Sequence, residues 1–468
     1  MVKLWAIVVM VAIALPQSAF AKQLSCTMEL DRSCSLIGAK VSSDEILTTT
    51  FASSNPSTLS TVQFARSSLT GIPPAMFQTF PKLESLNATG SDIKQIQSRN
   101  FADAKTLQSL YLRGNKIHDL PDVAFFGASR LQTLDLSGNA IATIESTAFK
   151  RLRELKTLLL GSNSLTELQP GVFDDLSDLE RLELQQNGLG SIDDRLFQGC
   201  HSLTALNVSH NALKSFNVAQ FERRWSFDLI DASYNKLSVV RIPPNLRQLV
   251  AIGNGIRTVE STATNGSELI LLKLPHNKLT SVDEVPVLEK LITLDLSFNR
   301  IREFDFRSAA RFGKLVLLKL DGNQLESVSN SLTAPITHLK YVHLADNQFT
   351  HLDLNVLRTV PRILKLDLRR NQLERLAVTD LAGSFPVMVR IMLEGNRFRC
   401  ADSRPLLKEL KESITAYAMT RNDCRKEENL IDGICCSCQA GATQMHPKPK
   451  PRGSLRSIPV QGGKGLRS

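Results

Sequence analysis

Leucine or a close substitute returns along most of this chain in the order Leu-x-x-Leu-x-Leu-x-x-Asn-x-Leu, with polar residues in most of the gaps. Units of this form start at Leu59, Leu83, Leu107, Leu131, Leu155, Leu179, Leu203, Phe227, Leu246, Leu269, Leu291, Leu315, Leu339, Ile363 and Met388. The first seven steps are 24 residues each, and the later ones are 19, 23, 22, 24, 24, 24 and 25. Leu-x-Leu puts two apolar side chains on one face of a short strand and the intervening residue on the other. One strand per unit, each pairing with the next, predicts a parallel sheet along one wall of a coil. Asn fills the ninth slot of thirteen units, from Asn115 to Asn396, and Ser67 and Ser91 hold it in the first two. An amide there both donates and accepts, so it satisfies backbone groups buried at the turn after the strand. These asparagines are therefore structural.

A second period supports the first. Phe77, Phe101, Phe125, Phe149, Phe173, Phe197 and Phe221 each lie eighteen residues after the start of their unit. One ring per coil predicts a phenylalanine stack along the convex side. No single unit can bury its apolar face alone, so the array requires its neighbours and a cap at each end. The short unit from Phe227 to Asn245 ends in Pro243-Pro244 and is expected to alter the curvature locally.

This pattern resembles the leucine-rich repeat family of extracellular proteins over about 340 residues. The resemblance implies an α/β solenoid: a horseshoe of about fifteen repeats with a parallel concave sheet and disulfide-bearing caps. Composition agrees. The 468 residues would allow several domains by length, yet 70 are leucine and 21 phenylalanine against 2 tryptophans and 4 tyrosines, as expected of one core layer copied many times.

Residues 1–21 begin with a basic Lys3, run apolar from Leu4 to Leu15 and end in Ser18-Ala19-Phe20-Ala21, the form of a secretory signal peptide. No later stretch reaches 18 apolar residues, and no hydrophobic tail closes the chain, so a secreted protein without a membrane anchor is expected. The formal charge of +10 is concentrated at one end. Residues 439–468 contain Lys448, Lys450, Arg452, Arg456, Lys464 and Arg467 and no acid, and residues 22–438 carry only +3. The body is nearly neutral, which argues against nucleic-acid binding. The Pro-, Gly- and Lys-rich tail reads as disorder.

The predicted layout is a signal peptide (1–21), an N-terminal cap (22–58), the repeat array (59–398), a cysteine-rich helical cap (399–438) and the basic tail (439–468). Cys26 and Cys34 are close enough in sequence to pair. Cys200 takes a slot held by Phe80, Leu152 and Leu176 in other units, so it is expected as a buried free thiol. Cys400, Cys424, Cys435, Cys436 and Cys438 remain, an odd number that points to an interchain disulfide or a reactive thiol. Between them, Leu406, Leu407, Leu410, Ile414 and Tyr417 form a helical stripe suited to covering the last coil. The cluster lacks paired CxxC knuckles, and an oxidising compartment favours disulfides over zinc, with adjacent Cys435 and Cys436 bonding to different partners.

A signal peptide, a long array and a cap with neighbouring Cys435-Cys436 resemble the mosquito leucine-rich immune proteins. That resemblance implies secretion into haemolymph, pairing of some members through a disulfide, and capture of a complement-like thioester protein. Dimerising members carry a C-terminal coiled coil. Here only thirty residues follow Cys438, and Pro447, Pro449, Pro451, Gly462, Gly463 and Gly465 exclude heptads, as in a coil-less branch.

Outward strand positions line the concave wall, the usual binding surface of a curved solenoid. At slots two and three of the first seven units only Ala205 is apolar; the last eight hold Leu229, Ile270, Leu271, Ile292, Val316, Leu317, Tyr341, Leu364 and Val389. Slot eight brings His210, Tyr234, His276 and Phe298 near the middle. Apolar surface with aromatics marks a partner interface, unless the adjacent strand half-buries slot two. The candidate binding residues are Leu229, Tyr234, Leu271, His276, Phe298, Leu317 and Tyr341. Sequons at Asn87, Asn207 and Asn265 permit N-glycosylation, the first two on the concave wall.

Enzyme chemistry finds no support. HExxH, GxSxG, phosphate-loop and dinucleotide motifs are absent, no histidine has a carboxylate or cysteine at metal-ligand spacing, and Asp135, Glu183, Asp231, Asp295 and Asp367 read as separate residues of a solvated wall. No catalytic residue, metal or cofactor is assigned. The expected function is innate-immune recognition or scaffolding through the concave face, toward a protein or a microbial glycan. The alternative is an extracellular matrix or signalling binder that captures a growth factor or cell-surface receptor.

Overall fold

The computed structural model describes residues 22–437 apart from 31, 99, 194, 217–226, 264–265, 378, 401–405, 407, 409, 411–423 and 432. The expected signal peptide, the basic tail, Phe221, Asn265, Cys438 and most of the cap helix lie outside the described residues.

Each unit contributes one strand to a continuous open parallel sheet, from Thr61–Ala65 through Ser85–Asn87 to Lys365–Asp367 and Arg390–Met392. Register is kept from coil to coil, with Leu110 opposite Leu134 and Leu134 opposite Leu158. One strand precedes the array: Ser33–Ile37 of the N-terminal cap pairs in parallel with Thr61–Ala65, so the cap is built as a further coil. Met28–Leu30 closes that end as an antiparallel partner of Ser33–Ile37, pinned by the Cys26–Cys34 disulfide.

The ninth-slot asparagines work alike along the array. Asn139 Nδ2 donates to Leu112 O of the preceding coil and to Leu136 O of its own, each at 2.9 Å, while its Oδ1 accepts from Ile117 N at 3.1 Å. Asn299 repeats this with Leu274 O, Leu296 O and Leu279 N. Ser67 performs a shorter version, donating to Leu36 O and accepting from Ala39 N. An amide that bridges two coils leaves few buried polar groups unpaired, and so permits an almost wholly apolar interior.

Inside, the first and fourth slots are fully buried along the array. On the returning side Phe77, Phe101, Phe125, Phe149, Phe173 and Phe197 stack with successive centroids 5.5–6.3 Å apart. Cys200 is buried below them, its thiol 3.6 Å from Phe173 O. Helix is sparse among the described residues, with α-helical segments at Ala75–Thr79, Phe306–Ala310 and Leu381–Ser384. Units of about 24 residues spend most of their length on strand, turn and core-facing loop.

At the short unit the sheet adjusts rather than breaks. Phe227–Asp231 and Leu246–Val250 are five residues long where most array strands have three, and Phe227 faces Leu246. The returning side there is an extra parallel pair, Val239–Ile242 with Thr258–Ser261. At the C-terminal end Asn429–Ile431 and Ile434–Cys436 form a hairpin, tied back by Cys400–Cys436 and Cys424–Cys435. Adjacent cysteines thus take different partners. Leu406 and Leu410 are buried against the core.

Candidate protein-binding face

The eighth slot shapes the edge of the concave wall. All fifteen units place it in the left-handed region, with φ between +49° at Arg66 and +75° at Gly395. The chain must turn sharply here, from the end of the strand toward the buried asparagine. Glycine meets that demand freely, whereas any other residue costs about 1–2 kcal/mol. Four units nevertheless place a ring there. His210 stacks on Tyr234 with centroids 4.4 Å apart, and His276 stacks on Phe298 at the same separation. Tyr234 and Phe298 are about half exposed, at 48% and 45%.

The next coil in each case carries glycine. A Cβ on Gly253 would stand 2.7 Å from the Tyr234 ring, and one on Gly322 would stand 2.3 Å from that of Phe298. The row therefore reads His210, Tyr234, Gly253, then His276, Phe298, Gly322: two copies of one device. A solvent-facing ledge that holds bulky rings against backbone preference is the kind of strain that collects at functional surfaces.

Beside the ledge runs the third-slot column. Leu229, Leu271, Leu317 and Tyr341 are half-buried, because each lies against the strands on either side. Slot two divides: Ile270, Val316 and Leu364 are half-buried, while Ile292 and Val389 are exposed. The apolar surface is thus a shallow stripe, with its most exposed groups at Tyr234, Ile292, Phe298 and Val389.

Charges on the wall depart from the sequence expectation. Asp135, Glu183, Asp295 and Asp367 are buried and Asp231 half-buried, rather than solvated. The aspartates fold back onto their own strand end, accepting from the slot-seven amides of Ser137, Ser233, Ser297 and Arg369 at 2.9–3.1 Å. Arg181 Nε holds Glu183 at 2.7 Å. The sequons Asn87 and Asn207 make the same turn, their Oδ1 atoms accepting from Thr89 N and Ser209 N at 3.0 Å.

No histidine has a carboxylate at metal-ligand spacing along the chain, yet the fold brings one beside two of them. His343 Nδ1 lies 3.9 Å from Asp321 Oδ2 and 4.0 Å from Asp367 Oδ2. These residues belong to three consecutive coils, and the 24-residue period sets them side by side where linear spacing shows nothing. Arg369 grips Asp367 through Nε at 2.9 Å and Nη2 at 2.6 Å. Burial would raise the Asp367 carboxyl, but the Arg369 hydrogen bonds outweigh it and hold the group below the ordinary range. Burial dominates at Asp321, pushing its carboxyl up against the opposing pull of His343.

A regularly spaced asparagine ladder behind an open concave sheet defines a repeat solenoid whose wall presents side chains to solvent. The Leucine rich repeat family signature matches residues 57–117, 105–165, 129–189, 153–213 and 177–237. Fibromodulin of Sus scrofa is 35% identical over 140 residues, covering 29% of this chain and 92% of that one. The chain belongs to the leucine-rich repeat family. Leucine-rich repeat-containing G-protein coupled receptor 5 of Rattus norvegicus is 29% identical over 159 residues, 33% of this chain, which spans 16% of the receptor's length. In fold, the crystal structure of the LRIM1/APL1C complex superposes with a TM-score of 0.67 at 24% identity, covering 89% of this chain and 71% of that one. No helix among the described residues is long and apolar enough to cross a membrane.

Proposed function

We propose that this chain is a secreted recognition or scaffold protein of innate immunity, a binder rather than an enzyme, which captures a protein partner on the second half of its concave wall. The observation that carries this is the aromatic ledge: Tyr234 and Phe298 are held exposed, each on a histidine and over a glycine, beside Leu229, Leu271, Leu317 and Tyr341. Aromatic anchors set in an apolar stripe are typical of the energetic centre of protein interfaces. The immune reading is supported by the adjacent cysteines of the cap and by the extent of the fold shared with the LRIM1/APL1C structure. A complement-like thioester protein in haemolymph is the partner we favour, with a microbial glycan as the other candidate. Glycans on Asn87 and Asn207 would cover the first half of the wall and leave the second open.

Fibromodulin, the more identical relative, supports a second reading: an extracellular matrix or signalling binder of growth factors or receptors. Pull-down from haemolymph after immune challenge separates the two. Recovery of thioester or microbial components supports the first, and recovery of matrix components the second. Leu271→Asp with Leu317→Asp should abolish capture while leaving thermal unfolding cooperative; retained capture refutes the wall as the site. A covalent dimer is part of the proposal because three disulfides and buried Cys200 account for seven of the eight cysteines. Migration at twice the monomer mass on a non-reducing gel, lost in Cys438→Ser, is the expected result.

A further inference from the structure

The docking surface leaves one constellation of the wall unused. Asp321, His343 and Asp367 come from the coils that start at Leu315, Leu339 and Ile363. One ligand-capable atom of each lies within 4.8 Å of the other two. They are sheltered groups: the side chains of Asp321, His343 and Asp367 are 17%, 27% and 1% exposed. At 3.9 and 4.0 Å the imidazole is too far from either carboxylate for a hydrogen bond.

The surrounding groups already orient the donors. Ala345 N donates to Asp321 Oδ1 at 2.9 Å, which leaves Oδ2 facing His343, with Ser297 Oγ at 3.5 Å. Arg369 fixes the plane of Asp367, with Nε on Oδ1 at 2.9 Å and Nη2 on Oδ2 at 2.6 Å, so a metal at Oδ2 shares that oxygen with the guanidinium. Three carboxylates, Asp295, Asp321 and Asp367, meet on this patch. Arg369 pairs with Asp367, Asp295 lies between its strand neighbours Lys273 and Lys319, and His343 faces Asp321 at 3.9 Å. A buried carboxylate is costly unless it is protonated, paired or bound to a metal.

We propose that Asp321, His343 and Asp367 form a zinc site on the concave wall, with His343 Nδ1 and the two Oδ2 atoms as its three protein ligands. Tetrahedral zinc at about 2.0–2.2 Å from N and O donors separates them by roughly 3.4 Å, so the present triangle needs to close by about half an ångström along its histidine edges. One imidazole with two carboxylates suits zinc better than calcium or magnesium, which prefer all-oxygen shells. The fourth position faces the bowl, where a water or an acidic group of a bound molecule completes the shell. The site goes beyond the docking reading and stands without it.

The test uses the tag-free full chain, dialysed against chelator and then titrated with zinc chloride by calorimetry and with cobalt chloride by visible absorption. The expected result is one zinc per chain, with cobalt bands displaced by zinc. Asp321→Asn and His343→Gln should each weaken zinc binding at least tenfold while melting as the parent does in chelator. A parent that binds no more zinc than a chain carrying both Asp321→Asn and His343→Gln overturns the site, as does parental affinity in either single variant. A proton-linked change at His343 without metal uptake also overturns it. Because partner capture is measured separately, its failure does not touch this result.

Discussion

Phe298 lies flat on His276, centroids 4.4 Å apart and planes 2° from parallel, although both residues are held at a backbone conformation that neither favours. The stack returns about 0.5–1.5 kcal/mol, against about 1–2 kcal/mol of backbone preference at each position. The ledge therefore adds no net stability to the coil, and selection for a surface explains it better.

Gly322 and Gly114 separate these effects. Both sit at slot eight, with φ of +66° and +67°, but a Cβ on Gly322 would strike the Phe298 ring whereas one on Gly114 meets nothing within 4 Å. Gly114→Ala should cost about 1–2 kcal/mol by denaturant unfolding and leave partner capture intact. Gly322→Ala should cost at least as much and also lose capture, because the ring must move. Equal capture by the two variants would remove the ledge from the binding face.

Asn299→Ala leaves Leu274 O with Asn277 and Leu296 O with Asn323 as remaining donors, but takes the acceptor of the buried Leu279 N. One orphaned buried group costs about 1–3 kcal/mol, and a loss of about that size is expected. Hydrogen exchange should show the Leu279 amide losing protection before those of distant coils, as neighbour-coupled repeats require.

Cys200 should be chemically silent in the native protein. Burial pushes its thiol up to about 12 from 9.0, which lowers the thiolate fraction at neutral pH about a thousandfold. Iodoacetamide at pH 8 should label it only after denaturation. Labelling of Cys200 at a free-thiol rate in the folded chain would contradict its place beneath the phenylalanine stack.

Acid should loosen the N-terminal cap first. Glu45 is lowered to about 2, chiefly by the Ser42 backbone amide and next by Lys22. Its folded pKa lies below its unfolded one, so the stabilisation is complete above about pH 4.5 and fades as pH falls toward 2. Exchange protection of the Ser42 amide should fall over that window, and Glu45→Gln should abolish the dependence without changing the rest of the array.

The coil, its asparagine ladder and the stack from Phe77 to Phe197 were legible because each repeats at a fixed period and the residue type names its role. Tyr234 and Phe298 stood out by replacing glycine or polar residues, but the backbone reason lies in the turn that all fifteen units share. The glycines that follow them, Gly253 and Gly322, carried a signal only when read across coils. Asp321, His343 and Asp367 stayed hidden because they occupy slots seven, five and five of different units, so no linear motif links them. Burial of Asp135, Asp295 and Asp367 was likewise invisible, since the strand pattern marks them as outward and only the amide two residues on draws them in.

The asparagine ladder also has a direction. Asn396 donates to Leu368 O and accepts from Leu373 N, so it completes the coil before its own, as Asn371 does for Leu344 O and Phe349 N. A chain leaving the ribosome therefore always carries one unfinished coil at its growing end, sealed only by the residues made next. Beyond the last coil the backbone of Ser437 bridges Arg399 in parallel, donating to Phe398 O and accepting from Cys400 N. The disulfide hairpin is thus the final stitch of synthesis, and until it closes, the newest coil is the one a quality-control factor would find open.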